Sequence, residues 1–164
     1  MVDSPERAND IWSRLSADVP PVLDDRRAVG LNERLRFYRY GPGQRFAPHT
    51  DGCYRRKSGE ESFLTLMIYL NGGARGGETR FENASITPAP GLALLFDHYL
   101  MHEGARVLEG QKYVLRSDVM YGPAGSSDVS NREDPLQVSG DIVNTRARGP
   151  DERRRGESRF FRTE

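Results

Sequence analysis

Residues 92–121 read LALLFDHYLMHEGARVLEGQKYVLRSDVMY, and the fold turns on this stretch. Leu92–Phe96 is a short apolar run set off by Pro90-Gly91, which is the length of a strand and too short for a helix. Glu103–Val107 and Lys112–Tyr121 read as two further strands. Leu108-Glu109-Gly110-Gln111 between them is a hairpin-like turn. Upstream the same grammar repeats. Ser85–Pro88, Glu78–Phe81 and Phe63–Leu70 (FLTLMIYL) are strand-like, and the run Asn71–Gly77 (NGGARGG) is a tight Gly-rich connection. Leu35–Tyr40 is a strand closed by the turn Gly41-Pro42-Gly43. Many short strands at this spacing predict an all-β sandwich or barrel.

The flanks differ from this centre. Ser4 suits a helix N-cap and Pro5 the first helical position. Ala8, Ile11, Trp12 and Leu15 follow at helical spacing and should pack as a core stripe. Pro20 and Pro21 end the helix. The run LDDRRAVG, residues 23–30, reads as a charged connector. After Tyr121 the apolar anchors thin out, and Gly, Ser, Asp and Arg dominate. The chain therefore divides into a helix and connector over 1–34, a β-domain over 35–121, and a polar tail over 122–164. Composition predicts disorder for that tail.

Composition sets bounds on function. The chain has 164 residues, room for one ordinary domain, with 36% hydrophobic and 29% charged residues. Lys plus Arg equals Asp plus Glu at 24 each, which argues against a domain devoted to neutralising phosphates. Apart from Tyr54-Arg55-Arg56-Lys57 there is no basic–aromatic interleaving of the kind that binds single-stranded nucleic acid. A single cysteine, Cys53, excludes an internal disulfide and a cysteine-based metal cluster. No apolar stretch approaches the about 20 residues of a membrane span. The opening MVDSPERAND lacks the apolar core of a secretory signal, so a cytoplasmic setting is the expectation.

Chemistry concentrates on the three histidines, His49, His98 and His102. His49-Thr50-Asp51 sets an imidazole and a carboxylate two residues apart, and on a strand such residues share a face. His102 follows 51 positions after Asp51 in a strand-rich segment. Two histidines and one carboxylate on one side of a metal leave the opposite positions open, the donor set of non-haem Fe(II) oxygenases. A lone H-x-D is common by chance and by itself carries little. His98 reads as a loop residue with a structural or ligand-supporting role. Asp97 is open between a turn cap and a partner of a ligand. The polar run Gly52–Ser62 directly after the pair is placed to border a substrate mouth as a lid.

Five segments in order carry a more specific signal: FYRYGPGQRFAPHTDG, SFLTLMIYLN, GGETRF, PGLALLFDHYLMHEG and GQKYVLRSDVMY. From Arg36 to Tyr121 the chain resembles the 2-oxoglutarate- and Fe(II)-dependent dioxygenases, in their prolyl 4-hydroxylase-like branch. The resemblance implies a double-stranded β-helix, a jelly-roll-like barrel, in agreement with the strand reading. It implies His49, Asp51 and His102 as iron ligands. It also implies Lys112 as the cation for the distal carboxylate of 2-oxoglutarate, with Tyr69 and Tyr40 lining that pocket. Arg116 lies four residues beyond Lys112 on the same strand face; related branches use an arginine nearer this spacing as the cosubstrate anchor, so the resemblance leaves Arg116 as the alternative main anchor, or else as a second anchor or a substrate contact. The expected cofactor is Fe(II), the cosubstrates are 2-oxoglutarate and O2, and ascorbate is a further candidate.

The expected reaction hydroxylates a C–H bond of a peptidyl (prolyl-like) or small-molecule substrate, with decarboxylation of 2-oxoglutarate to succinate. Asp51 favours hydroxylation over halogenation, because halogenating relatives lack the carboxylate. A nucleic-acid demethylase and a non-catalytic metal-binding barrel are the alternatives. The charge balance opposes the first, and the complete ligand set opposes the second.

Overall fold

The computed structural model describes residues 1–123 and the backbone of 159–162. Strand β1 (Val2–Asp3) precedes helix α1 (Pro5–Leu15), and a single 3-10 turn (Ser16–Asp18) follows. The remaining strands are β2 (Val22–Leu23), β3 (Arg26–Leu31), β4 (Arg34–Tyr40), β5 (Phe46–His49), β6 (Glu61–Tyr69), β7 (Arg75–Gly76) and β8 (Thr79–Phe81). They continue with β9 (Ala84–Ile86), β10 (Leu92–Asp97), β11 (His102–Gly104), β12 (Val107–Glu109), β13 (Lys112–Pro123) and β14 (Arg159–Arg162).

Two sheets face each other. The larger runs β1-β4-β13-β6-β10-β14, with β3 also paired to β13 and β2 to β3. The smaller runs β5-β11-β8-β9. Strand β13 is the spine of the larger sheet. Its first half pairs with β4, its far end with β3, and β6 runs along its other edge. The strand is 12 residues long, and its alternate side chains reach both faces of the sheet.

Each face has its own apolar cluster. Between the sheets Tyr69, Leu94, Phe96 and Val114 form the inner core, with Tyr38, Met67 and Phe81 against it. On the outer face Leu64, Leu66, Leu95, Val119 and Tyr121 pack under α1 through Ala8, Leu15, Ile11 and Trp12. The helix begins as its sequence dictates, with the Ser4 hydroxyl accepting from the Arg7 N–H at 3.3 Å.

Three expectations are corrected by the pairing. Residues 23–30 are not a connector. Asp24 and Asp25 take positive φ (47° and 58°), the geometry of a tight hairpin turn. That turn sends β3 back along β2 and onto β13. The segment before the Gly110 turn does not form a hairpin with β13. Strand β12 crosses instead to β7, pairing Val107 with Gly76, because both edges of β13 are already taken by β4 and β6. The Gly-rich run 71–77 thus contributes a short strand of its own. In the tail, Arg159–Arg162 adds a strand to the β10 edge. Residues 124–158 and 163–164 lie outside the described residues. No helix among the described residues is long and apolar enough to cross a membrane.

Candidate active site

The two histidines meet by sheet register. Strand β11 pairs antiparallel with β5 so that His102 lies directly opposite His49, which brings their side chains together. The ring centroids are 4.2 Å apart. Each Nδ1 lies 2.8 Å from a backbone carbonyl two residues back, Ala47 for His49 and Leu100 for His102. A carbonyl can only accept, so Nδ1 carries the proton in both rings. Both Nε2 lone pairs are thereby left for a metal. Burial holds His102 below the usual histidine range, which keeps it in the neutral, ligating form.

Asp51 arrives by another route. Strand β5 stops at His49, so strand alternation does not bring Asp51 to its place. The residue is fixed from outside: its N–H donates to the His98 carbonyl at 2.7 Å. Its carboxylate is gripped from both sides. Thr65 donates to Oδ2 at 2.5 Å, and the Arg116 guanidinium sits 2.8 Å from Oδ1. The result places Oδ1 3.6 Å from His49 Nε2 and Oδ2 3.8 Å from His102 Nε2.

One donor atom from each of His49, Asp51 and His102 lies within 4.8 Å of the others. Metal bonds of about 2.1 Å at right angles set neighbouring donors about 3 Å apart. The observed spacings close to that value by small rotations of the side chains. Two imidazoles, each with Nδ1 turned to a backbone carbonyl and Nε2 turned to the carboxylate, with a cavity on the other side, fit Fe(II) as a facial triad.

The cavity beside the triad is lined by His49, His102, Tyr38, Tyr40, Lys112 and Arg116 among others. Lys112 is 3% exposed. Its Nζ donates to the Gly77 carbonyl at 2.7 Å and lies over the Tyr40 and Tyr69 rings, 5.5 and 5.3 Å from their centroids. Burial pulls its pKa down to about 8, against a weak opposing pull from Glu78. Gly77 makes this approach possible. It has φ +77°, and a Cβ there would press on Lys112 Cδ at 3.3 Å.

The other residues named from sequence are placed as follows. Tyr69 is fully buried, its hydroxyl donating to Thr79 Oγ1 at 2.6 Å, and it is Thr79 that lines the cavity. Burial pushes both Tyr69 and Tyr40 up to about 12, so both remain phenols. Arg116 faces the same cavity as Lys112, yet its Nη2 is engaged by Asp51 and stands 3.6 Å from Asp118. Asp97 caps a turn, accepting from the Tyr99 N–H at 2.7 Å. The run after Asp51 is tied down: Arg56 pairs with Glu60 and Glu33, and Arg55 with Glu61. The residues not read from sequence are Thr65 and Thr79. Each is a buried hydroxyl on a strand, and for Thr65 the signal was one polar residue inside FLTLMIYL.

Taken together, two facing sheets with a His-Asp-His donor set at one end define a double-stranded β-helix metal-dependent oxygenase class. The sequence model of the 2OG-Fe(II) oxygenase superfamily matches residues 35–117, and the chain belongs to that superfamily. Among curated relatives it is 32% identical over 130 residues to rat prolyl 4-hydroxylase subunit alpha-3, covering 63% of this chain and 24% of that one. To prolyl 4-hydroxylase 1 of Arabidopsis thaliana it is 30% identical, covering 49% of this chain and 38% of that one. The chain thus spans well under half the length of these two relatives. Among solved structures, the viral collagen prolyl hydroxylase of Paramecium Bursaria Chlorella virus-1, in its 2OG complex, superposes with a TM-score of 0.53. The identity is 22%, over 74% of this chain and 76% of that one, which supports the shared fold.

Proposed function

We propose that the chain is an Fe(II)- and 2-oxoglutarate-dependent hydroxylase acting on a C–H bond of a peptidyl, prolyl-like substrate or a small molecule. The observation that carries this reading is one cavity walled by two histidines with free Nε2 lone pairs and by a buried lysine. The donor set of His49, Asp51 and His102 would hold the iron. With 2-oxoglutarate bound, the iron supplies the activation of O2 that couples decarboxylation to hydroxylation.

The chain's own residues do the rest. Lys112 receives the distal carboxylate, because Arg116 is already committed to Asp51. Its ammonium, stripped of water, gains far more from an anion than an exposed lysine would. Tyr40 flanks that ammonium, and Tyr69 holds Thr79 toward the cavity wall. Phe46 packs tilted against His49, with ring centroids 4.2 Å apart, and the two tyrosine rings shield the ammonium side of the site from water. Prolyl 4-hydroxylases among the relatives favour a peptide substrate. Ascorbate enters only as a reductant that would keep the metal ferrous.

The test is succinate formation from 2-oxoglutarate under air, with Fe(II) and with either proline-containing peptides or methylated oligonucleotides. Stimulation by peptide alone supports the reading, and stimulation by oligonucleotide alone replaces it with demethylation. No turnover in any arm, with Fe(II) and 2-oxoglutarate bound, leaves a metal-binding barrel.

A further inference from the structure

Behind the metal ligands a second cluster of polar side chains is buried with no place in the reading above. Ser62, Thr65 and His98 are each 0–1% exposed. They are linked in series: Ser62 Oγ to His98 Nε2 at 2.8 Å, His98 Nδ1 to Thr65 Oγ1 at 2.8 Å, and Thr65 Oγ1 to Asp51 Oδ2 at 2.5 Å.

Counting protons fixes the sense of every bond. The Asp51 carboxylate, facing Arg116 on its other oxygen, can only accept, so the single Thr65 hydroxyl hydrogen points to it. Thr65 Oγ1 then has only lone pairs to offer His98, so His98 Nδ1 must carry a hydrogen. Ser62 Oγ accepts from the Tyr54 N–H at 2.8 Å, and among the described residues its own hydrogen has no acceptor other than His98 Nε2. Nε2 must therefore be bare, and the ring neutral. No other orientation satisfies all four groups, and leaving one unpaired at this depth is costly.

We propose that Ser62, His98 and Thr65 form a one-way hydrogen-bonded chain that sets the orientation of Asp51 toward the metal, with His98 locked as its Nδ1–H tautomer. These are positioning residues, and the proposal rests on the reading of Asp51 as a metal ligand. His98 acts on Asp51 twice. Its carbonyl takes the Asp51 N–H at 2.7 Å, and its ring orders the Thr65 hydroxyl. The chain also reaches the run after Asp51. Ser62 and Tyr54 exchange two bonds, Ser62 N–H to the Tyr54 carbonyl at 2.9 Å and Tyr54 N–H to Ser62 Oγ. Residues 54–62, beside the ligand pair, and the ligand carboxylate thus share one continuous polar path. Bonds aligned head to tail polarise one another, so disturbing either end is felt at the other.

Two measurements test this. On the unaltered, metal-free chain at pH 7, nitrogen-15 NMR of the His98 ring should show Nδ1 protonated and Nε2 bare. A Nε2–H tautomer or an imidazolium overturns the proposal. Anaerobic Co(II) titration followed by absorption then compares variants. Thr65→Val should weaken binding by about 10–100-fold, the range for loss of a partner behind a metal ligand. Thr65→Ser, which keeps the hydroxyl, should stay within about threefold of the unaltered chain. Equal Co(II) affinity in Thr65→Val refutes the chain while leaving the metal site standing. Failure of the unaltered chain to bind Co(II) at all takes down the oxygenase reading and this proposal with it.

Discussion

Lys112 gives the sharpest quantitative test of the cosubstrate site. Its ammonium is nearly sealed from water with one carbonyl and two aromatic faces for company, and its pKa falls to about 8. A carboxylate arriving at Nζ favours the charged form and raises that pKa. Binding is therefore strongest where Lys112 is already protonated, and it weakens as pH rises through the free-site value. At pH 7 about nine-tenths of the chains carry the charge and at pH 9 about one-tenth, so 2-oxoglutarate affinity should drop about tenfold between them. Anaerobic calorimetry with Mn(II) in place of iron measures it. Titrations at pH 9 in two buffers of different ionisation heat should also show uptake of close to one proton per ligand. Lys112→Arg provides the control, because a guanidinium stays charged throughout this range. That variant should lose the pH dependence even if its affinity is lower overall. The reasoning fails if the unaltered chain binds equally at both pH values, or if the arginine variant shows the same tenfold fall.

Further outcomes follow from the same geometry. His49→Ala or His102→Ala removes a donor outright and should cost more metal affinity than the about 10–100-fold expected for Thr65→Val, read by Co(II) absorption. Gly77→Ala forces a side chain into a left-handed backbone at a strain of about 1–2 kcal/mol and presses on Lys112. Both the melting temperature and 2-oxoglutarate affinity should fall, whereas relief of strain alone by Gly77→Asn should restore only the first. Leu94→Ala opens a cavity at the centre of the inner core, where Leu94 is 0% exposed. It should destabilise the chain by about 2–5 kcal/mol in urea denaturation. Tyr121→Phe removes the hydroxyl that donates to the Pro20 carbonyl at 2.9 Å. The expected loss is about 0.5–1.5 kcal/mol, with metal binding unchanged because the bond lies on the outer face.

Much of this protein was legible in its residues because the relevant signals are local. Ser4-Pro5 with the stripe from Ala8 to Leu15 specifies a capped amphipathic helix through near-neighbour geometry alone, and the helix runs as read. The apolar runs of β6, β10 and β13 announce strands by length and composition. The ligand types in H-x-D, with a distant second histidine, announce a metal. What residue order could not specify is which partner each strand takes. The same short β12 could have folded back on β13; it pairs with β7 because β4 and β6 occupy both edges of that spine. Residues 23–30 looked like a connector because their strand character depends on an edge of β13 that lies about 90 residues away in the chain. The site shows the same division. Sequence named His49, Asp51, His102 and Lys112, but the facing of His49 and His102 is a matter of cross-strand register. Asp51, beyond the end of its strand, is aimed by Thr65, Arg116 and the His98 carbonyl. Those contacts join side chains and backbone 14 to 65 positions apart. Only packing the two sheets together brings them within hydrogen-bonding range, so chemistry was readable one residue at a time while its geometry belonged to the folded chain.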